Sequence, residues 1–277
     1  MAQVSQYERF AFIEMLAYWQ GYVRNSDLVT QFEITRQQVY KDISAYLALY
    51  PKQLTKQANG SYRLVADAKH YYFDGSLDCY LSWLQTTDFN FATNKQTTQA
   101  YTLTPPARGA LSQVIATLTQ AIRQQQRVDV GYVSLSNPET DGRIFSPHCF
   151  VKAGGRWHVR GYCEKSQGYR DLVLSRFRGE AVIEGKAIYG AEQDEAWQTY
   201  ITLVLAPDPR LTAEQQAVLT HDFQMQDGKL QLNTRAALAD YLLKELQINT
   251  KYLDGSPEAQ QLVLVNRNDI KQWLFSA

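Results

Sequence analysis

The segment 143–178 contains the sequence pattern that most restricts how this chain can fold. Between residues 156 and 162, the run Arg-Trp-His-Val-Arg-Gly-Tyr alternates in the way that is typical of a β-strand. The pattern predicts that Trp157 and Val159 face a core and that the polar residues between them face away from it. The segment carries eight Lys and Arg residues and two acids, although the formal net charge of the chain is zero. Such a strand surface favours the binding of an anion, a phosphate or a nucleic acid, over acid–base catalysis.

Length and composition indicate a multidomain protein without a membrane span. A chain of 277 residues usually forms two or three domains, and a hydrophobic content of 45% is enough to build their cores. The sequence has no apolar run of about 18 residues and no secretory signal pattern. Cys79, Cys149 and Cys163 are far apart and lack metal-binding spacing, so we expect a cytoplasmic protein without a structural zinc or another cofactor.

Charge is distributed unevenly along the chain. Residues 35–63 hold five Lys and Arg residues against one acid, whereas residues 192–277 hold seven bases and twelve acids. Together with segment 143–178, this distribution indicates two anion-facing surfaces and a C-terminal region that avoids nucleic acid. Chance variation between segments is the alternative.

The first 66 residues predict a winged helix-turn-helix. The predicted elements are an amphipathic helix at 7–18, a short helix at 27–32, a longer helix from the N-cap Thr35 to Leu49, and strands at 53–57 and 61–65. Asn59-Gly60 suits the positive φ angles that a tight hairpin between the two strands requires. The alternative is a small helical domain that contacts other proteins.

The third helix and the hairpin contain the candidate DNA contacts. Val39, Ile43 and Leu47 are spaced by four and are expected to pack into the core. On the opposite face, Arg and Gln side chains can bond guanine and adenine edges in the major groove, while cations on the wing contact phosphates. The predicted DNA-binding residues are Thr35, Arg36, Gln37, Gln38, Tyr40, Lys41, Ser44, Lys56 and Arg63. The run 27–43 resembles the DeoR-like winged helices of bacterial regulators.

Residues 67–126 are expected to link this unit to a β-rich one. A helix predicted at 108–126 places Leu111, Ile115, Leu118 and Ile122 along one stripe. From residue 127 the period changes to two, which predicts short strands that form a small antiparallel barrel or a curled sheet. After the strand that begins at Val128, the predicted strands are 144–151, 157–164 and 171–177.

The C-terminal residues 191–277 predict a small α+β unit. Its predicted elements are a strand at 200–206, a helix at 212–221, a hairpin at 224–234, a helix at 236–247, a strand at 261–265 and a helix at 268–275.

Four short motifs between residues 132 and 177 resemble the WYL domain, a ligand-sensing Sm/SH3-like barrel of bacterial transcription factors. The motifs are Tyr132-Val133-Ser134, Ser146-Pro147-His148, residues 155–162 and residues 174–177, and Trp157-His158-Val159 stands where the family has Trp-Tyr-Leu. The order of domains resembles the BrxR and CapW group of regulators found beside anti-phage systems. The resemblance implies a dimeric repressor with a C-terminal extension (WCX) that supports dimerisation. The expected domains are 1–66, 67–126, 127–190 and 191–277.

The predicted ligand site uses guanidinium groups that can bond phosphate oxygens in pairs. Hydroxyl, imidazole and stacking contacts are expected to complete it. The predicted ligand-binding residues are Tyr132, Ser134, Ser146, His148, Arg160, Tyr162, Arg170 and Arg176. Trp157 is expected to lie in the core, and His148 fits a structural hydrogen bond as well as a ligand contact.

Catalysis is not expected at this site. Hydrolysis of a nucleotide needs a metal held by carboxylates or an activated nucleophile. Segment 143–178 offers only Glu164 and Asp171, and the neighbours His148 and Cys149 point to opposite faces of a strand. We therefore predict that the protein is not an enzyme.

The sequence thus predicts a homodimeric repressor of a phage-defence operon that binds an inverted-repeat DNA operator and senses a nucleotide or nucleic-acid ligand. Two alternatives stay open. One is a general RNA or single-stranded DNA-binding protein that acts through the WYL barrel. The other is a protein–protein adaptor with a degenerate helix-turn-helix.

Overall fold

The computed structural model describes residues 5–65, 68–87, 89, 106, 108–249 and 255–274. The helices are α1 Gln6–Trp19, α2 Asn25–Phe32, α3 Arg36–Leu49, α4 Leu77–Thr86, α5 Ser112–Gln124, α6 Glu195–Gln198, α7 Ala213–Asp222, α8 Ala239–Glu245, α9 Pro257–Gln260 and α10 Arg267–Ile270. The strands are β1 Leu54–Lys56, β2 Tyr62–Leu64, β3 Gln126–Tyr132, β4 Asp141–Ala153, β5 Arg156–Cys163, β6 Gly168–Val173, β7 Phe177–Lys186, β8 Tyr200–Pro207, β9 Leu230–Arg235 and β10 Leu262–Leu264. The fold is a mixed α+β arrangement whose sheets are antiparallel.

The N-terminal unit has the winged helix order that the sequence predicts. The Thr35 hydroxyl caps α3 by accepting a hydrogen bond from the backbone N–H of Gln38 at 3.2 Å. β1 and β2 pair antiparallel to form the wing, and Val23 adds a bridge to Tyr62 on the outer side of β2. The wing is therefore hydrogen-bonded to the segment between α1 and α2.

The prediction that the first helix is amphipathic is wrong. Every residue from 9 to 17 is buried, because α1 lies between α3, α4, α5 and β2 rather than on the surface. The Glu14 carboxylate sits in this core and accepts hydrogen bonds from the Tyr46 hydroxyl at 2.8 Å and from the backbone N–H groups of residues 71–73. A buried charge is tolerated there because several donors satisfy it.

The helix α5 joins the winged helix to the following sheet. It is shorter than the predicted helix, and Leu111 lies exposed at its N-cap, whereas Ile115 and Leu118 are buried as expected. α5 packs against α1 on one side and β3, β4 and β7 on the other. One hydrophobic core is therefore continuous from the winged helix into the sheet.

The five strands β3–β7 form one sheet in the order β6-β5-β4-β3-β7. The predicted strand 171–177 is instead split by a turn of 3-10 helix at 174–176, and β7 was not predicted from the sequence. Among the described residues no pairing joins the edge strands β6 and β7, so the sheet is open there. Closure into an Sm/SH3-like barrel stays a prediction.

The C-terminal unit has a core of its own behind a three-stranded sheet of order β10-β8-β9. The predicted hairpin at 224–234 is wrong, because β9 pairs with β8 rather than with a strand before the turn. At the predicted turn, the described residues form only the bridge between Gln226 and Lys229. None of the described helices is long and apolar enough to cross a membrane.

Candidate nucleic-acid interface and ligand site

The outer face of α3 and the wing form a cationic surface, which we call the DNA-reading surface. It consists of Thr35, Arg36, Gln37, Tyr40, Lys41, Ser44, Lys56 and Arg63, and all eight are exposed. Among the described residues, none of its four cations has a carboxylate within ion-pair distance. The opposite face of α3 buries Val39 and Ile43, as predicted, together with Tyr46.

The only acid of segment 35–63 does not reach this surface. Asp42 is fully buried, and the Arg9 guanidinium donates to both of its oxygens at 2.7 and 3.1 Å. The side-chain amide of Gln38 also donates to Asp42 at 3.1 Å, so this predicted DNA contact is half-buried and already bonded. The exposed charge of the reading surface is therefore positive throughout.

The basic strand surface of segment 143–178 is arranged differently. The prediction that its polar face is open is wrong, since β5 is buried on both faces, with His158 1% and Arg160 5% exposed. Residues beyond the segment cover it: the Tyr241 ring packs against His158, and Asp194 contacts Arg160.

Arg160 lies at the centre of a buried ion cluster. Its guanidinium donates to both oxygens of Asp194, at 2.7 and 3.0 Å, and to Asp171 at 3.1 and 3.2 Å. Asp171 is the direct cross-strand partner of Arg160 on β6, so pairing of the strands places the two side chains on one face. The Tyr241 hydroxyl donates to Asp171 at 3.2 Å and ties α8 to the cluster.

A bulge in β4 brings His148 to the same cluster. The β4–β5 register shifts between Pro147 and Cys149, which leaves His148 without an opposite residue and turns its side chain toward Asp194. The His148 Nε2 lies 3.0 Å from an Asp194 oxygen. Close approach of the strands here requires Gly161, since a Cβ at this position would lie 2.3 Å from the Ser146 carbonyl oxygen.

Asp194 is the residue that holds the cluster together. It is 1% exposed, and its carboxylate also caps α6 by accepting from the Trp197 backbone N–H at 3.1 Å. Burial alone raises the pKa of the Asp194 carboxyl, but hydrogen bonds from His148 and Arg160 outweigh it and hold the pKa below its usual value. The carboxylate is thus a fixed anion between the sheet and the chain that leads to the C-terminal unit.

Two other predicted ligand residues, Tyr132 and Ser134, make their contacts outside the Arg160 cluster. Tyr132 is buried, its hydroxyl accepts a hydrogen bond from the Val173 backbone at 3.0 Å, and Arg143 lies over its ring, so the stacking role predicted for it does not fit. Ser134 bonds the turn at Asn137, away from the cluster.

Ser146 is buried beside the Gly161 contact, and Tyr162 packs between Tyr169 and Tyr189. Arg170 is exposed and bonds only a backbone oxygen, while Arg176 is half-exposed and has no ion pair among the described residues. The structure therefore brings His148 and Arg160 together and leaves Tyr132 and Ser134 outside the cluster.

Sequence reasoning missed Asp194, which bonds Arg160, and Tyr241, which packs on His158 and bonds Asp171; both lie outside segment 143–178. Asp194 is 34 residues from its partner, and no local pattern marks it. Within the described residues, no group of three or more His, Cys, Asp or Glu side chains is arranged to hold a metal ion.

Comparison with known families identifies three matching models along the chain. Residues 5–86 match the BrxR transcriptional regulator winged helix-turn-helix domain, residues 113–182 match the WYL domain, and residues 200–270 match the BrxR transcriptional regulator C-terminal dimerization domain.

Two curated relatives match nearly the whole chain. A DNA-binding transcriptional repressor CapW of Pseudomonas aeruginosa is 32% identical over 98% of this chain and 92% of its own length. The repressor of the same name from Escherichia coli strain KTE188 is 32% identical over 97% and 92%. The solved structure of proteasome accessory factor B/C (PafBC) of Arthrobacter aurescens aligns over 97% of this chain and 47% of its own, at 15% identity and a TM-score of 0.26, too low to support an argument.

Proposed function

This chain belongs to the family of CapW DNA-binding transcriptional repressors, a non-enzymatic type of regulator, and we propose that it represses transcription as a homodimer bound to an inverted-repeat operator. The observation that carries the proposal is the DNA-reading surface: its cations are exposed and unpaired among the described residues, while Asp42, the one acid of segment 35–63, is buried against Arg9. Arg36 and Gln37 stand at the start of α3, where a recognition helix meets base edges. The match of residues 200–270 to a dimerization domain supports two such helices per assembly.

The experiment that tests this proposal compares two DNA duplexes. Purified protein is titrated against the region upstream of its own operon and against a random duplex of equal length, at one stated salt concentration. We expect the operon duplex to bind at least about 1,000-fold more tightly, the lower end of the range found for specific binders. Equal affinities would contradict a repressor and favour a general nucleic-acid-binding protein, and no binding of either would favour an adaptor.

We also propose that the ion cluster around Arg160 is where a nucleotide or nucleic-acid ligand acts. Arg160 is already satisfied by Asp194 and Asp171, so an incoming phosphate has to replace the Asp194 carboxylate on the guanidinium. Half-buried Arg176 and exposed Arg170 are the other two arginines of the predicted ligand set, and neither has an ion pair among the described residues. Loss of Asp194 from the cluster releases the cap of α6 and thereby loosens the connection to the C-terminal unit. The regulated genes are proposed to be a phage-defence operon.

A response assay tests the ligand proposal. Nucleotides and short oligonucleotides are added to the protein–operator complex, and release of the duplex is measured. The pair Arg160→Ala and Arg176→Ala should abolish release by any probe that acts on the wild type, while Arg178→Ala, an exposed arginine on β7, should leave it unchanged. A normal response of the double variant places the ligand elsewhere.

A further inference from the structure

A second cluster of cations lies at the base of the wing, where α5 passes close to it. Here a pocket of about 200 Å³ is lined by three arginines, each from a different element. Arg24 comes from the segment before α2, Arg63 from β2 and Arg123 from the last turn of α5. All three are exposed. Neither Arg24 nor Arg123 belongs to the DNA-reading surface.

The guanidinium groups of Arg24 and Arg123 are held in place by neutral neighbours. Arg24 lies over the Tyr22 ring at 4.6 Å, and Arg123 donates to the side-chain oxygen of Gln20 at 2.8 Å. The acid near both is Asp27, whose carboxylate accepts from the Arg24 backbone N–H at 2.8 Å. Among the described residues, neither guanidinium has a carboxylate within ion-pair distance. The pocket therefore carries excess positive charge, because the groups that position its arginines are uncharged.

The wing contributes polar groups to the same pocket. Asn59 at the turn of the hairpin accepts hydrogen bonds from the Ser61 hydroxyl at 2.7 Å and the Ser61 backbone N–H at 3.0 Å. These bonds use its side-chain oxygen and leave its amide N–H groups available to an acceptor. The pocket thus offers guanidinium and amide donors, which suit phosphate oxygens.

We propose that this pocket binds a backbone phosphate of the operator duplex, beyond the base contacts of α3. The inference rests on the proposed function, because a winged helix bound in the major groove places the wing beside the sugar–phosphate backbone. The pocket opens next to the wing turn, so the phosphate it reaches is one that flanks the wing. Arg123 then makes α5 a DNA-contacting helix.

If Arg123 contacts the DNA, then α5 connects the five-stranded sheet directly to the DNA. Only Gln125 separates the end of α5 from the start of β3, and α5 packs on β3, β4 and β7. The backbone oxygen of Gln125 also accepts a hydrogen bond from the Ala187 N–H at 2.9 Å, which joins the end of α5 to the chain after β7. A shift of the sheet relative to the wing would move Arg123 away from the phosphate.

Salt titration of DNA affinity tests the inference. Wild type, Arg24→Ala, Arg123→Ala and the double variant are titrated with the operon duplex and with a random duplex. A phosphate contact contributes equally on both duplexes, so each single variant should weaken both several-fold. The double variant should reduce the slope of log affinity against log salt by about 0.9, the value for one phosphate. Arg123→Lys should retain most of the slope, and Arg178→Ala is the matched control. Thermal unfolding should be unchanged in all of them.

The outcomes separate this inference from the proposed function. If the wild type prefers the operon duplex but the variants keep its affinity and slope, the pocket does not bind DNA and the repressor proposal stands. If the wild type has no preference and the variants still lose affinity and slope, the phosphate site stands and the repressor fails. Loss on the operon duplex alone would indicate base reading and overturn the assignment. Stabilisation by inorganic phosphate that the variants abolish, with duplex affinity unchanged, would mark a site for a free anion instead.

Discussion

The two basic segments of this chain use their charges in opposite ways. In segment 35–63 the single acid, Asp42, is neutralised below the surface by Arg9, a cation from outside the segment. In segment 143–178, four of the eight cations pair with acids of the described residues, and three of those acids lie outside the segment: Asp78, Asp141 and Asp194. Similar local charge therefore gives an exposed cationic surface in one case and, in the other, surface ion pairs together with an internal ion network at Arg160. The net charge of a sequence segment therefore predicts the charge of its surface only when acids from distant parts of the chain do not neutralise its cations.

The largest expected effect is on the stability of the sheet. Asp194→Ala removes the anion that a buried guanidinium and a buried imidazole share, and Arg160 keeps only Asp171. The free energy of unfolding should therefore fall by about 3 kcal/mol, the lower end for breaking a buried pair. Urea denaturation measures this loss. Lys165→Ala, which removes the exposed partner of Asp141, is the control and should change stability little. Equal effects of the two substitutions would mean that the Arg160 cluster is not the internal network described.

The next effect concerns the reading surface, where stability should not change. Arg36→Ala combined with Gln37→Ala removes two exposed side chains, and each bidentate base contact contributes about 1–3 kcal/mol of discrimination. The preference for the operon duplex should therefore fall at least tenfold, as measured by fluorescence anisotropy. Arg178→Ala controls for the loss of an exposed arginine. An unchanged preference would favour the adaptor alternative.

A smaller effect is expected for a single phosphate contact. Lys41→Ala should weaken binding of operon and random duplexes alike and reduce the salt slope by about 0.9. Lys229→Ala removes an exposed lysine from the acidic C-terminal unit and should have no effect on either quantity. If the two variants behave alike, position on α3 confers no advantage in DNA binding.

The smallest effect is a pH dependence on the sheet side. Burial, and then Arg156, holds the pKa of His158 below its usual value. Below about pH 6.5 the unfolded chain therefore binds a proton that the folded chain does not, and stability falls as pH is lowered, by at most about 1.4 kcal/mol per pH unit. His158→Gln should flatten this part of the profile, measured by urea unfolding between pH 7 and 5. Exposed His221→Gln should not, and identical profiles for both variants would refute the assignment.

The sequence was sufficient where the determinants are local. Thr35 caps α3 and Asn59-Gly60 turns the wing, because capping and turn geometry depend on neighbouring residues. The burial of α1 on all sides was not predictable, since it depends on α4 and α5 packing from far along the chain.

The candidate site shows the same division. The cross-strand pair of Arg160 and Asp171 follows from strand pairing, but His148 joins the cluster only through a one-residue bulge in β4 that alternation alone does not reveal. Asp194 lies in the acidic C-terminal region, and nothing in the sequence links it to Arg160. The ion pair between them is therefore visible only in the three-dimensional structure.

We expect DNA affinity to depend on the exposed cations near α3 and not on those of the sheet. One salt titration of operon-duplex affinity tests it with two triple variants. Replacing Lys41, Lys56 and Arg63 by Ala should reduce the slope by about 2.7, or 0.9 for each phosphate contact. Replacing Arg156, Arg170 and Arg176 by Ala should leave the slope at the wild-type value. An equal or larger loss of slope in the sheet variant would contradict the account.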